Sequence, residues 1–222
     1  MAEYEAACRM MKDLMNGRTV RWNDQELELA WARNRPEIPM YLAGYGPGAL
    51  AVAGRVSDGV IIQLTDPEIV DWIMGIARKA AEEDGRDPDA LAPIACAPAF
   101  VSADLERARD QVRWFPAMVS KHVMDLLARY DESELPAPLF GYVKQRDFYD
   151  YRDRRRAGAE HGRFVDDDTY DRFCILGTPE QHIEKLKALE AIGVRQWNIY
   201  LMAGDEERTL DVYGQEIITA FS

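Results

Sequence analysis

The residues best suited to chemistry stand together in "LAGYGPGALAVAG", residues 42–54. Within it lies Gly44-Tyr-Gly46-Pro-Gly-Ala49, a G-x-G-x-x-A arrangement, and Asp66 follows Gly46 by twenty positions. Glycines so spaced let the backbone approach a phosphate, and an acidic residue at that distance matches the ribose partner of a dinucleotide site. Pro47 suits the first position of a helix, whose opening N–H groups and positive dipole end attract an anion. Two chemistries fit these residues: an NAD site of Rossmann type, or a phosphate held on a βα loop of another fold.

The other chemistry-bearing residues form no comparable constellation. His122, with Val119, Val123 and Leu126 nearby, reads as a packed helix histidine. His161 lies in an irregular segment, where functional groups are commoner. His182 follows a capping box and reads as part of a solvated face. Their spacing matches no metal site, and no catalytic acid, base or nucleophile stands out. Cys8, Cys96 and Cys174 are scattered and odd in number, which fits free thiols in a reducing cytoplasm. The net charge of −12 argues against nucleic acid or an anionic membrane as partner. "YRDRRRAG", residues 151–158, is the local exception, read either as a solvated face or as an arginine cluster for an anion. Tyr149 and Tyr151 would line a pocket or anchor a loop.

The elements that must position these residues alternate along the chain. Residues 2–16 carry apolar side chains at helical spacing and stop at Asn16-Gly17. "TVRW" and "ELELAW" flank Asn23-Asp24-Gln25 as a hairpin. "IPMYLAG" and "DGVIIQL" read as short strands buried on both faces, joined by the helix from Pro47. Asp66 caps the next helix, with Pro67 behind it. "APIACAPAFV" is a third strand, expected to be irregular at Pro93 and Pro98. Ser102-Ala-Asp104 opens another helix. Residues 131–170, rich in proline, charge and tyrosine, read as an insertion or lid. Thr178, Pro179 and Gln181 then open a helix with a capping box, "QWNIYLM" is a fourth strand, and a last helix starts near Asp205. This is an α/β pattern with a parallel sheet. No stretch reaches the length of a membrane span.

A dinucleotide fingerprint normally opens its domain, but here a helix and a hairpin precede it, and Asp66 with Pro67 behind it is better explained as a cap. "IPMYLAGYGPGALAVAGRVSDGVIIQ" resembles the strand-five to strand-six region of the luciferase-like flavin- and deazaflavin-dependent oxidoreductases. "FCILGTPEQHIEKLKALEAIGVRQWNIYL" resembles that family's seventh helix and eighth strand, and "MAEYEAACRMMKDLMNGRTVRWN" the segment before strand five. "DPEIVDWIMGIARKAAEEDGRDP" and "QVRWFPAMVSKHVMDLL" are most similar to the branch that uses coenzyme F420.

The resemblance implies a (β/α)₈ TIM barrel of luciferase-like type, of which residues 1–222 supply the C-terminal half, strands five to eight, as one partial domain. It implies a cofactor phosphate held by Ala43, Gly44, Tyr45, Gly46 and Pro47, with Gln63 as a further hydrogen-bond partner. The implied reaction is hydride transfer between F420 and a small-molecule substrate. An FMN-dependent monooxygenase, a non-catalytic subunit and, last, an NAD-dependent dehydrogenase are the alternatives. The implied partners are a second copy of the chain or a polypeptide completing the barrel.

Overall fold

A computed structural model describes residues 1–116, 119, 130–131, 133, 135–136, 166–202 and 204–221. The expectations for His122, Tyr149, Tyr151, the arginine cluster and His161, and most of the 131–170 insertion, lie outside the described residues. The chain divides into two compact units, residues 1–61 with 73–93 and residues 62–72 with 94–222.

In the first unit, helix α1 (Ala2–Met15) is followed by the hairpin β1 (Val20–Trp22) and β2 (Gln25–Leu27). Asn23 and Asp24 both take positive φ, 47° and 60°, the geometry of a two-residue hairpin turn whose twist matches the strands. Strand β3 (Tyr41–Ala43) runs parallel to β4 (Gly59–Ile62), with Tyr41 opposite Gly59 and Ala43 opposite Ile61. Between them lies α2 (Pro47–Val56), packed against α1. Cys8, Met40, Val52 and Val56 form the buried cluster beneath this helix, with Tyr4 and Leu42 against it. Helix α3 (Pro67–Glu83) approaches α2 so closely that a Cβ on Gly54 would stand 2.0 Å from the Ala77 carbonyl oxygen. Asp58 braces the unit: its carboxylate accepts from the Met40 N–H (2.8 Å) and from Lys12 (2.7 Å).

The second unit is built on β5 (Ala92–Val101), a continuous ten-residue strand. The irregularity expected at its prolines does not occur. The reason is a change of partner: Ile94–Pro98 pair with β7 (Gln196–Tyr200), whereas Ala99–Val101 pair with β6 (Ile175–Gly177), both in parallel. Pro98, which has no N–H, sits at the last β7 pair, where that ladder ends. Strand β6 is a parallel strand absent from the sequence reading; three residues are too few to show periodicity. Helices α4 (Leu105–Val112) and α5 (Asp167–Phe173) flank β6, α4 capped by Asp104 and α5 by Asp166. The capping box of α6 (Pro179–Ala191) is present as expected, Gln181 accepting from the Thr178 N–H at 2.9 Å. The last helix departs from the expectation: α7 (Glu206–Val212) passes into a π-helical turn at Tyr213–Ile217.

Candidate functional site

The glycine-rich residues lie where the chain leaves β3 and enters α2. Gly46 is the residue before the helix, in extended backbone (φ −85°, ψ 144°), and its carbonyl accepts from the Leu50 N–H at 3.0 Å. No side chain caps the first turn, and Pro47 carries no N–H, so the amides of Gly48 and Ala49 open the helix without a side-chain acceptor. Gly44 lies at close approach: a Cβ there would stand 3.1 Å from the Ala49 Cβ, tighter than an ordinary contact. This donor set, backbone amides at a helix start against a chain that comes close, suits a phosphate.

Asp66 does different work. Its Oδ1 accepts from the Ile69 N–H (2.9 Å), capping α3, and its Oδ2 accepts from Arg172 (2.5 Å). It is 2% exposed, so both oxygens are committed inside the protein. The reading as a cap is borne out.

Gln63, just past β4, belongs to the second unit. Its Nε2 donates to the Tyr200 hydroxyl at 3.3 Å, at the C-terminal end of β7. Tyr200 stacks edge-on to Phe115 at 5.8 Å and has its hydroxyl pKa raised, chiefly by burial, with the neighbouring Cys96 adding to the effect. Burial likewise raises the Cys96 thiol, with the neighbouring Asn198 and Tyr200 opposing it. Both groups are therefore protonated near neutral pH. Sequence reasoning missed Tyr200 because its signal is tertiary: only strand pairing brings residues 63, 96 and 200 together.

Two ionisable groups, one buried and one half-buried, also escaped the sequence. His182, expected on a solvated face, is fully buried, its Nδ1 3.0 Å from the Tyr213 hydroxyl and its Nε2 3.3 Å from the Phe100 carbonyl. Tyr213, the residue that follows α7, supplies the partner that makes burial tolerable. Lys185 donates to the carbonyls of Asp171, Arg172 and Cys174, closing the C-terminal end of α5, and burial pulls its pKa down to about 8. Around it Arg109 makes a forked pair with Asp171 and a further bond to Asp167, and Arg172 joins Asp66 and Glu68. Every charge in this network has a partner, and its work is to hold α5 in place. Cys8, Cys96 and Cys174 are free and buried, and among the described residues no group of side chains is placed to hold a metal. No described helix is long and apolar enough to cross a membrane.

Parallel strands joined by helices, with a phosphate-type turn after one strand and polar groups at strand C-termini, define an α/β protein of barrel type. The sequence profile of the Luciferase-like monooxygenase family matches residues 2–196, and the chain belongs to that family. It is 29% identical over 189 residues to the 5,10-methylenetetrahydromethanopterin reductase of Methanolobus tindarius, an alignment covering 82% of this chain and 54% of the relative. It is 22% identical over 223 residues to the F420-dependent glucose-6-phosphate dehydrogenase of Nakamurella multipartita, covering 98% and 59%. The solved coenzyme F420-dependent tetrahydromethanopterin reductase of Methanopyrus kandleri superposes with a TM-score of 0.69 at 20% identity, covering all of this chain and 63% of that one. The fold is that of the luciferase-like barrels, and the chain spans about half to two thirds of the length of these relatives.

Proposed function

We propose that this chain forms part of an oxidoreductase that binds coenzyme F420 and transfers hydride between it and a small organic substrate. The observation that carries this reading is the uncapped start of α2. Ala43, Gly44, Tyr45, Gly46 and Pro47 would hold the cofactor phosphate, with the backbone amides of the turn as donors, and Gln63 would hydrogen-bond the cofactor. The cofactor supplies the redox chemistry when bound; the chain's residues bind, orient and exclude water. The names of the relatives favour F420, while the family's description as a monooxygenase keeps FMN-dependent oxygenation as a second reading. The exposed side chains Gln196 and Asn198 on β7 support a barrel-completing partner or a second copy as the element that covers that strand.

The test is a titration of the purified protein with F420, FMN and NAD, followed by fluorescence. F420 binds, and Gly46→Val raises its Kd at least tenfold with an unchanged circular dichroism spectrum, since valine adopts the extended backbone of residue 46 without strain. Binding of NAD alone would refute the reading; tighter binding of FMN than F420 would move it to the monooxygenase branch.

A further inference from the structure

The first unit contains a cavity of about 340 Å³ whose wall carries Arg9, Lys12, Arg18, Arg55 and Arg86 against two acids. The basic residues come from three segments: α1 and the residues just past it, the end of α2, and the turn beyond α3. In a chain with 27 Lys and Arg against 39 Asp and Glu, a cavity with five cations and two acids reverses the average balance.

The partners of these cations leave donors open. Glu5 serves two guanidiniums at once, Oε1 accepting from Arg9 (2.8 Å) and Oε2 from Arg55 (2.7 Å). Asp84 meets Arg9 at 3.4 Å. Lys12 donates to Asp58 and to the Val56 carbonyl, and Arg18 reaches Asp13 and Glu37. Arg86 differs. It is half-buried and donates to the carbonyls of Gly54 and Ser57, and among the described residues no carboxylate pairs with it. Those carbonyls close the end of α2, where the helix dipole amounts to about half an elementary charge, less than one guanidinium carries. The two bonds use two of the five N–H groups, so charge and donors both remain for a ligand.

Glu5, Glu37 and Asp58 hold their cations from outside the cavity wall, and with them the acids match the cations in number. What the cavity offers is therefore a convergent set of charge-assisted donors at short range, and a ligand needs several oxyanion oxygens to use it. Planar guanidinium forks suit phosphate oxygens taken two at a time. We propose that this cavity binds a small molecule carrying two linked phosphate groups, with Arg86 as its principal donor and Arg9, Arg55 and Lys12 around it. The site is separate from the phosphate-type turn, which lies at the other end of the ten-residue α2, about 15 Å along its axis. It stands independently of the oxidoreductase reading.

Isothermal titration of the full chain with pyrophosphate and with orthophosphate tests it. Pyrophosphate should bind at least tenfold more tightly than orthophosphate, because it spans more of the donors. Arg86→Met should raise the pyrophosphate Kd about tenfold, and Arg86→Lys, which restores the charge without the fork, should recover part of that loss. Should Arg86→Met fold poorly, Arg9→Gln, at an exposed side chain, supplies the same test: it removes a donor and frees Glu5 to repel the ligand, and should raise the Kd at least threefold. Gly46→Val should keep a binding event of unchanged Kd. ADP, which carries the same diphosphate, identifies the source: a Kd below that of pyrophosphate makes the occupant a nucleotide, and one no lower makes it the diphosphate alone. Absence of pyrophosphate binding, equal Kd values for the two phosphates, unchanged binding in both Arg86→Met and Arg9→Gln, or loss of binding in Gly46→Val would overturn the inference.

Discussion

His182 is fully buried between a hydroxyl and a carbonyl, and the carbonyl fixes its state. The Phe100 oxygen can only accept, so Nε2 carries the hydrogen and Nδ1 accepts from the Tyr213 O–H, whose own pKa burial raises. Protonation would put a charge where, among the described residues, no acid stands to pair with it, and would displace the Tyr213 donor. Burial accordingly lowers the imidazole pKa from 6.5 to about 4, with the nearby Lys185 charge adding to the effect and the Phe100 contact opposing it. The unfolded chain takes up this proton near pH 6.5 and the folded chain only near pH 4. The contribution to stability is therefore complete above about pH 6.5 and is lost as the pH falls towards 4. At 1.36 kcal/mol per pK unit, the loss is about 3 kcal/mol, a large share of the roughly 5–15 kcal/mol that holds a typical domain together. Urea denaturation of the wild type and His182→Gln at pH 7, 5.5 and 4 reads it directly. The wild type should lose about 3 kcal/mol more than the variant over that range. In case the variant folds poorly, the wild-type imidazole resonances supply an independent value. An NMR pKa near 6.5, or equal losses in both proteins, would refute the argument.

Gly54→Ala should lower stability by at least 2–3 kcal/mol, because the new methyl meets the Ala77 carbonyl oxygen at 2.0 Å and the Ala80 Cβ at 3.1 Å, and a backbone atom cannot swing aside. Thermal denaturation checks this, and an unchanged Tm would show that α2 and α3 separate freely. Asp66→Ala should cost about 2–3 kcal/mol: roughly 1 kcal/mol for the cap, and the rest from taking a buried partner from Arg172. Asp66→Asn keeps the cap and should recover about 1 kcal/mol of the loss in urea melts; equal losses in the two variants would show that the cap contributes nothing.

The sequence carried the local rules well. The α1 stop at Asn16-Gly17, the Asn23-Asp24 turn, Pro47 at the head of α2, and the caps at Asp66, Asp104 and Thr178 are each decided by residues within a few positions of one another. What escaped depends on partners far along the chain. Strand β6 exists because β5 offers it Ala99–Val101, and nothing within Ile175–Gly177 announces that. His182 looks polar beside Glu180, Gln181 and Glu184, but the π-helical turn carrying Tyr213 folds over it. Lys185 is hidden in the same way, by three carbonyls at the end of a helix that lies before it in sequence.

The glycine pattern is the instructive case, because it was legible and misleading at once. G-x-G-x-x-A encodes a close turn into a helix, and that part is real: Gly44 lies against Ala49 and the first turn of α2 has no side-chain cap. A dinucleotide needs something more, an acid free to meet a ribose. Asp66 stands at the expected spacing, but a carboxylate has only two oxygens, and here one serves the Ile69 amide and the other Arg172, both buried. Releasing it would cost the helix cap and an ion pair together, on the order of 2–3 kcal/mol before any ligand contact is made. A phosphate asks only for the amides at the start of α2. The turn therefore suits a phosphate without suiting NAD, and the choice between them is made at Asp66, twenty residues from the glycines.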